Sequence, residues 1–500
     1  MAERVHSIAI IGGGAAGWLA AATLARVLKP GCYSIRLIDM PRGTAGAHAE
    51  VALPSFHRLN GLLGIDESDL LRRTAGTFRL GAQFSDWGGV GERYFHTSGA
   101  IGAKLDAVPF HHYWIKLRQL GEGASIEDYS MATVAAKHGR FAPPSLERTS
   151  FLSSYSYGYH FHAGLLAAYL REYSLEHGVT HIERNVLAVR LRGEDGFVDA
   201  LQLDDGSRVR ADLYIDCTGR ACLQNGYEDW SRWFPCDRAV GVLCASSSEP
   251  APYSQASAGR FGWHWRIPLQ HCVDSGQVYS SRFVSDDEAT ALMLAGLPGT
   301  MLGEPRLLQW TAGRLEKFWD KNCITLPGSR LEPLESTGLH LVQTGIARLL
   351  TLFPVRQCSP EDQEEYNRLT GLEHERIRDF LILHYKASTR VDSPFWEHCR
   401  QMELPAGLQT RIELFRQCAR IALLDEEHFT EESWLTVLVG QGLYPQDYDP
   451  LADVLDIEQV RDALSRMRSM IRSGVQTMPS LARFIAEYCR ARADHVGARS

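Results

Sequence analysis

The chain has 500 residues, too many for one simple core, so two or three domains or lobes are expected. Apolar residues make up 45% and charged residues 22%, the profile of an ordinary soluble globule; a net charge of −8 without a dense Lys/Arg block argues against nucleic acid as a partner. The cysteines run from Cys32 to Cys489 without a CxxC or a zinc spacing, which reads as reduced thiols in a cytoplasmic protein.

The first element is SIAIIGGGAAGWLAAATLARVL, residues 7–28. Its length and apolarity would suit a signal or membrane helix, but consecutive glycines interrupt it and no basic cluster precedes it, so no membrane segment is expected. It divides into an Ile-rich strand, a glycine turn and an Ala/Leu helix, with Gly12, Gly14 and Gly17 in the GxGxxG places. The first glycine permits the tight turn, the second lets backbone approach a pyrophosphate, and the third lets the helix pack close to the sheet. Ala15 and Ala16 open that helix, whose positive end faces the phosphate. A second apolar run, SIRLIDM, ends at Asp39, 22 residues after Gly17, where an acid meets the ribose hydroxyls of an adenine dinucleotide. A lone GxGxxG is weak; strand, glycines, helix and acid together are specific.

TFRLGAQFSDW (77–87) holds Arg79, and YFHTSGAIG (94–102) holds Phe95 and His96. Between them GGVGER (88–93) follows no convincing strand. His111, His112, His160 and His162 have no acidic or cysteine partner at ligand spacing, so no metal is expected. RVRADLYIDCTGR (208–220) is a strand ending in Asp216-Cys217-Thr218-Gly219 that returns to a nucleotide sheet, and NCITLPGSRLEPLESTG (322–338) is a third such segment. With no second dinucleotide fingerprint, one tightly held FAD is expected and no nicotinamide domain. Reduced flavin then comes from a separate reductase.

GWHWRIPLQ (262–270) sets Trp263 and Trp265 on one face of an extended segment, and Pro268 fits an edge or a strand end. By spacing alone, an aromatic core patch accounts for the pair. From EDQEEYNRLTGLEHERIRDFLILHYKAS onward the pattern is helical with charged outer faces, through DVLDIEQVRDALSRMRSMIRSGVQ and PSLARFIAEYCRARADH. A mainly helical lobe over the substrate side is expected, with a disordered tip after about His495. The architecture is α/β: a Rossmann-like, flavin monooxygenase-like FAD-binding part over 1–225, interrupted by substrate-side loops at about 85–160; a β-rich part over 226–320; a return to the FAD site over 321–350; and the helical lobe over 351–500.

GGGAAGW (12–18), GWHWRIP (262–268), SSRFVS (280–285), EPLESTG (332–338) and STRVDSPFW (388–396), in that order, resemble the motifs of the flavin-dependent halogenases, the family of the tryptophan halogenases. The likeness runs from the first strand to about residue 450, and general flavin monooxygenases lack the GWHWRIP piece. The resemblance implies that Trp263, Trp265, Ile267 and Pro268 wall a tunnel between flavin and organic substrate, and that Glu50 and Ser336 touch the flavin. It implies that the amides of Thr337 and Gly338 hold chloride or bromide. With the substrate kept away, the halide takes the flavin's activated oxygen and becomes hypohalous acid. Glu335 would orient that oxidant and stabilise or deprotonate the cationic arenium intermediate. Without the resemblance, Glu335 reads as a helix-capping or surface carboxylate.

The family carries a lysine where this chain has Arg79. Lysine is scarce throughout, so drift from lysine to arginine is one account. Neutralising a free lysine at pH 7 costs about 4.6 kcal/mol and an arginine at least about 7, so a haloamine at Arg79 is disfavoured while a charge-assisted hydrogen bond stays open. Lys104, the nearest lysine, reads as a solvated loop residue. On this view Arg79→Lys raises halogenation. At the substrate end, HFTEESWLTVLVGQGLYPQDYDPLAD (428–453) keeps Trp434 but lacks the tryptophan-rich insertion of indole-binding members, and Thr97 and Ser98 follow Phe95 and His96. The implied substrate is an indole derivative, a phenol or an aromatic side chain on a peptide, not free tryptophan. Two alternatives remain: a diverged oxidase or monooxygenase, and a catalytically silent FAD-binding scaffold. A homodimer stays open.

Overall fold

The structure, a computed structural model, describes residues 5–29, 31–39, 47–106, 108–147, 150–219, 226–246, 248–326, 331–354 and 358–492. The tip after His495 lies outside them. The strand Ser7–Ile11 is central in a six-stranded sheet, flanked in parallel by Ser34–Asp39 and Leu213–Asp216. Its side chains are buried on both faces, which is why these strands read as continuous apolar runs without alternation. Cys323–Thr325 joins in parallel beside Leu213–Asp216, and Trp319–Asp320 closes that edge antiparallel.

The glycine turn and the helix Ala15–Val27 follow the first strand. Gly12 has φ +104°, open to glycine and strained for other residues. A Cβ at Gly17 would lie 1.8 Å from the Gly12 carbonyl oxygen, so the helix can pack this close only with glycine there.

A seven-stranded sheet forms the second layer, antiparallel except where Tyr253–Ala258 pairs in parallel with Gly81–Ser85. Gly262–Pro268 is an interior strand of it, between Tyr253–Ala258 and Cys272–Tyr279, and Pro268 takes its last position. A three-stranded sheet of Ala49–Ala52, Gly158–His162 and Thr77–Arg79 lies beside the larger one. Arg79 ends a strand of the small sheet and Gly81 begins a strand of the large one, so Arg79 occupies the corner between them.

The later helices depart from the expected lobe. Glu431–Gly440 and the second half of Pro360–Lys386 belong to the core around the large sheet, with Tyr366 of the latter helix in the core around the nucleotide sheet, and Leu481–Tyr488 belongs to the nucleotide-sheet core. There Phe484 meets Phe78 and Phe141 at 5.3 and 5.2 Å between ring centroids. Helix Ile457–Thr477 spans both: Val460, Leu464 and Met467 lie in one core, Ile471 and Val475 in the other. A lobe confined to the substrate side is therefore corrected to one whose end returns to the nucleotide side. Apolar periodicity marks which face a helix buries, not which core receives it. Among the described residues no helix is long and apolar enough to cross a membrane.

Candidate active site

A cavity of about 300 Å3 opens where the sheets meet, with Glu50, Arg79, Trp263, Trp265, Thr337 and Gly338 in its wall. Ser336 and Ile267 line it too. The indoles of Trp263 and Trp265 lie edge to face, 6.3 Å between centroids. Trp265 is seated over Gly241 and Gly276, cross-strand neighbours; a Cβ would come within 2.4 and 2.1 Å of its Cζ2. Trp263 donates its N–H to Glu332 Oε1 at 3.0 Å, and the Tyr385 hydroxyl donates to the same oxygen at 3.0 Å. Burial pushes Glu332 up to about 7 against these two donors. Trp263 packs on Trp87 at 6.4 Å between centroids and also faces the cavity.

The segment EPLESTG supplies the cavity's other side. After the short turn Pro333–Glu335, Ser336 takes left-handed angles (φ 56°, ψ 40°), and the helix Gly338–Thr351 begins. Among the described residues no acceptor meets the N–H of Thr337 or Gly338. Both stand at the positive end of a 14-residue helix, where an anion is favoured.

Glu335 is not on the cavity wall. It is buried on the far side, 2.9 Å from His96 Nδ1 and 3.0 Å from His384 Nε2. Burial opposes its ionisation, but His96 and His384 outweigh burial and hold the carboxyl well below the usual carboxylate range. Aromatic rings enclose this point: Phe380 stacks on Phe429 at 3.7 Å and meets Trp434 edge-on at 5.1 Å. His384, whose Nδ1 lies 3.0 Å from the Tyr94 hydroxyl, was missed in the sequence, where it reads as one more residue of a long helix.

Phe95 is a correction. It packs on Tyr253 at 5.1 Å in the nucleotide-side core, away from His96 and Glu335, because adjacent residues of a strand point to opposite faces. Among the described residues no three His, Cys, Asp or Glu side chains are grouped as a metal site would need: the His111 and His112 rings lie 4.2 Å apart, with His111 Nε2 2.9 Å from the Ala419 carbonyl, while His160 is bonded to Thr77 and His162 caps the helix Ala163–Glu176. Lys104 is exposed and lines a separate cavity of about 460 Å3 with Ile101, Phe110, Glu431 and Leu435.

Arg79 is 4% exposed, and its Nε donates to Ser254 Oγ at 3.1 Å. Burial pushes it down to about 10, with Glu335 acting the other way, so it remains a cation at neutral pH. Burial also pushes Glu50 up to about 7.

The residues fit FAD. A Cβ at Gly13 would strike the Asp39 carboxylate at 1.9 Å, so that acid lies directly against the glycine turn. A Cβ at Gly14, the residue capping helix Ala15–Val27, would meet nothing within 4 Å, leaving backbone open to a phosphate at the helix start.

A family model for tryptophan halogenases matches residues 7–457. The chain is 39% identical to a flavin-dependent halogenase from Xanthomonas campestris, with a TM-score of 0.94 over 98% of this chain and 99% of that one. It is 38% identical to BrvH, a flavin-dependent halogenase from Brevundimonas sp. BAL3, with a TM-score of 0.92 over 97% of this chain and 99% of that one. The tryptophan 7-halogenase RebH of Lentzea aerocolonigenes is 28% identical over 531 residues, covering 97% of this chain and 99% of its own. The chain belongs to the tryptophan halogenase family. It is an enzyme of FAD-dependent halogenation, with FAD as cofactor and a halide ion as co-substrate.

Proposed function

We propose that the protein halogenates an electron-rich aromatic ring other than that of free tryptophan: an indole derivative, a phenol or an aromatic side chain on a peptide. One observation carries the reading. The segment 332–338 lines the cavity with Thr337 and Gly338 while Glu335, on the same turn, faces an aromatic shell on the opposite side. The turn of Gly12, Gly14, Ala15, Ala16 and Gly17 with Asp39, Glu50 and Ser336 would hold FAD, whose reduced form would supply, with O2, the oxidising oxygen for the halide.

The remaining work belongs to the chain. Thr337 and Gly338 hold the halide with two N–H donors and a helix end. Trp263 and Trp265, with Ile267, keep the organic substrate from the flavin and exclude water, whereas Pro268 is not among the residues lining the cavity. Arg79, a cation between the two sides, donates hydrogen bonds to the oxygen of hypohalous acid. Glu335, kept ionised by His96 and His384, stabilises the cationic ring and accepts its proton. The substrate ring is placed beside Glu335 and His96, next to the aromatic cluster of Phe380, Phe429 and Trp434. Reduced FAD comes from a separate reductase, since the chain has one dinucleotide fingerprint.

The test supplies reduced FAD, O2 and bromide with a panel of indoles and phenols beside free tryptophan. The mass shift of bromination is expected on members of the panel and not on tryptophan. Peroxide without any brominated product would overturn the reading.

A further inference from the structure

We propose that Ser254, His160 and Thr77 form a directed hydrogen-bond chain that positions Arg79 for the halogenation step, an inference that rests on the role of Arg79 proposed above. Thr77 Oγ1 donates to the Pro268 carbonyl at 2.8 Å. A hydroxyl has one proton, so toward His160 Nδ1, 2.9 Å away, the same oxygen accepts. His160 therefore carries its proton on Nδ1. Burial, aided by the charge of Arg79, holds this ring well below the ordinary histidine range and keeps it neutral, so Nε2 is a bare acceptor. Ser254 Oγ, 2.9 Å from Nε2, spends its proton there and offers its lone pairs to Arg79 Nε–H at 3.1 Å. Each proton in the row has one available direction, and all four side chains are buried, where such chains reinforce one another.

The anchor fixes Arg79 by Nε alone. Among the described residues no acceptor meets either Nη group, and the side chain lines the cavity, so the outer fork of the guanidinium is left for a ligand there. At its far end the row reaches the carbonyl of Pro268, the last residue of the strand that carries Trp263 and Trp265. Arg79 and the aromatic wall thus share one support. Lysine has a single nitrogen, and bonding it to Ser254 would take a donor from the oxidant. The row suits arginine and reverses the expectation that Arg79→Lys raises halogenation.

Ser254→Ala is expected to lower kcat for bromination by roughly tenfold or more with little change in KM, the loss of one charge-assisted hydrogen bond, and to raise peroxide release. Ser254→Thr keeps the hydroxyl and should retain activity, separating lost positioning from lost folding. In Arg79→Lys protein, itself less active, Ser254→Ala should add no further loss. With isotope-labelled histidine, the His160 resonance, assigned by its disappearance in His160→Gln, should report a neutral ring protonated on Nδ1. Full activity in Arg79→Ala would defeat the functional reading itself. If Arg79→Ala is inactive, the inference falls on any of three results: full activity in Ser254→Ala, an undiminished Ser254→Ala loss in the lysine background, or a His160 proton on Nε2.

Discussion

At the scale of single residues, two buried carboxyls on one segment are pushed in opposite directions. Glu335 has two histidines at hydrogen-bond distance and stays ionised; Glu332 has two neutral donors on one oxygen and is pushed up to about 7. Glu335→Gln removes the charge that faces the cationic ring and should reduce kcat by about a hundredfold or more while flavin binding, read by fluorescence titration, is unchanged. A comparable loss in flavin affinity would remove Glu335 from the chemistry. For Glu332 the folded pKa lies above its ordinary 4.5, so between about pH 4.5 and 7 the folded state keeps a proton the unfolded state has lost, and stability falls as pH rises through that window. The loss is about 3 kcal/mol when complete. Glu332→Gln is free of it, so its melting temperature relative to wild type should be higher at pH 8 than at pH 5; a difference independent of pH would contradict the assignment. The glycine turn and Asp39 were legible in the sequence because their rule is local, set by spacing along one strand–turn–helix. Ser254 was not, because its partners Arg79 and His160 lie 175 and 94 residues away, and His160 by type alone suggested only a metal ligand.

Among the elements, the Gly262–Pro268 strand shows how far alternation carries a reading. Period two places Trp263 and Trp265 on one face, and both line the cavity. The same rule, applied to YFHT, separates Phe95 from His96. What the strand's own sequence withholds is its seat: Trp265 needs glycine at 276 on the adjoining strand Cys272–Tyr279 and at 241 on the strand beyond it, Arg238–Ala245, and nothing in GWHWRIP announces those positions. Gly276→Ala puts a methyl 2.1 Å from the indole, in a sheet whose backbone is held on both sides. The ring must lift toward the cavity, and overpacking of this kind costs about 1–3 kcal/mol. We expect a lower melting temperature together with weaker flavin binding. Gly303→Ala, where a Cβ would meet nothing within 4 Å, should alter neither. Unchanged flavin affinity in Gly276→Ala would mean that the Trp265 wall does not depend on its glycine seat.

For the whole molecule, the decisive feature is that the chain's last helices join both cores. The expected order of a nucleotide part, a β-rich part and a helical end is what periodicity and motif order can supply; that the end folds back on the beginning is a contact between Phe484 and Phe78, some four hundred residues apart, which no local pattern encodes. Phe78 immediately precedes Arg79, and Tyr488, next along the same helix face, donates its hydroxyl to Glu67 at 3.1 Å. The helix Leu481–Tyr488 therefore backs the small strand that delivers Arg79 to the cavity corner. Phe484→Ala removes a ring from between Phe78 and Phe141, a change that costs about 3 kcal/mol in a well-packed cluster and less here because Phe484 is only partly buried. If the helix served only as cover for the substrate, this substitution would leave flavin binding intact and alter substrate KM alone. Support of the Arg79 corner requires the reverse: lower melting temperature, lower kcat and more peroxide released per turnover, with substrate KM nearly unchanged. Calorimetry and a coupled product-to-peroxide ratio on the one variant distinguish the two, because cover and support act on different steps of the same reaction.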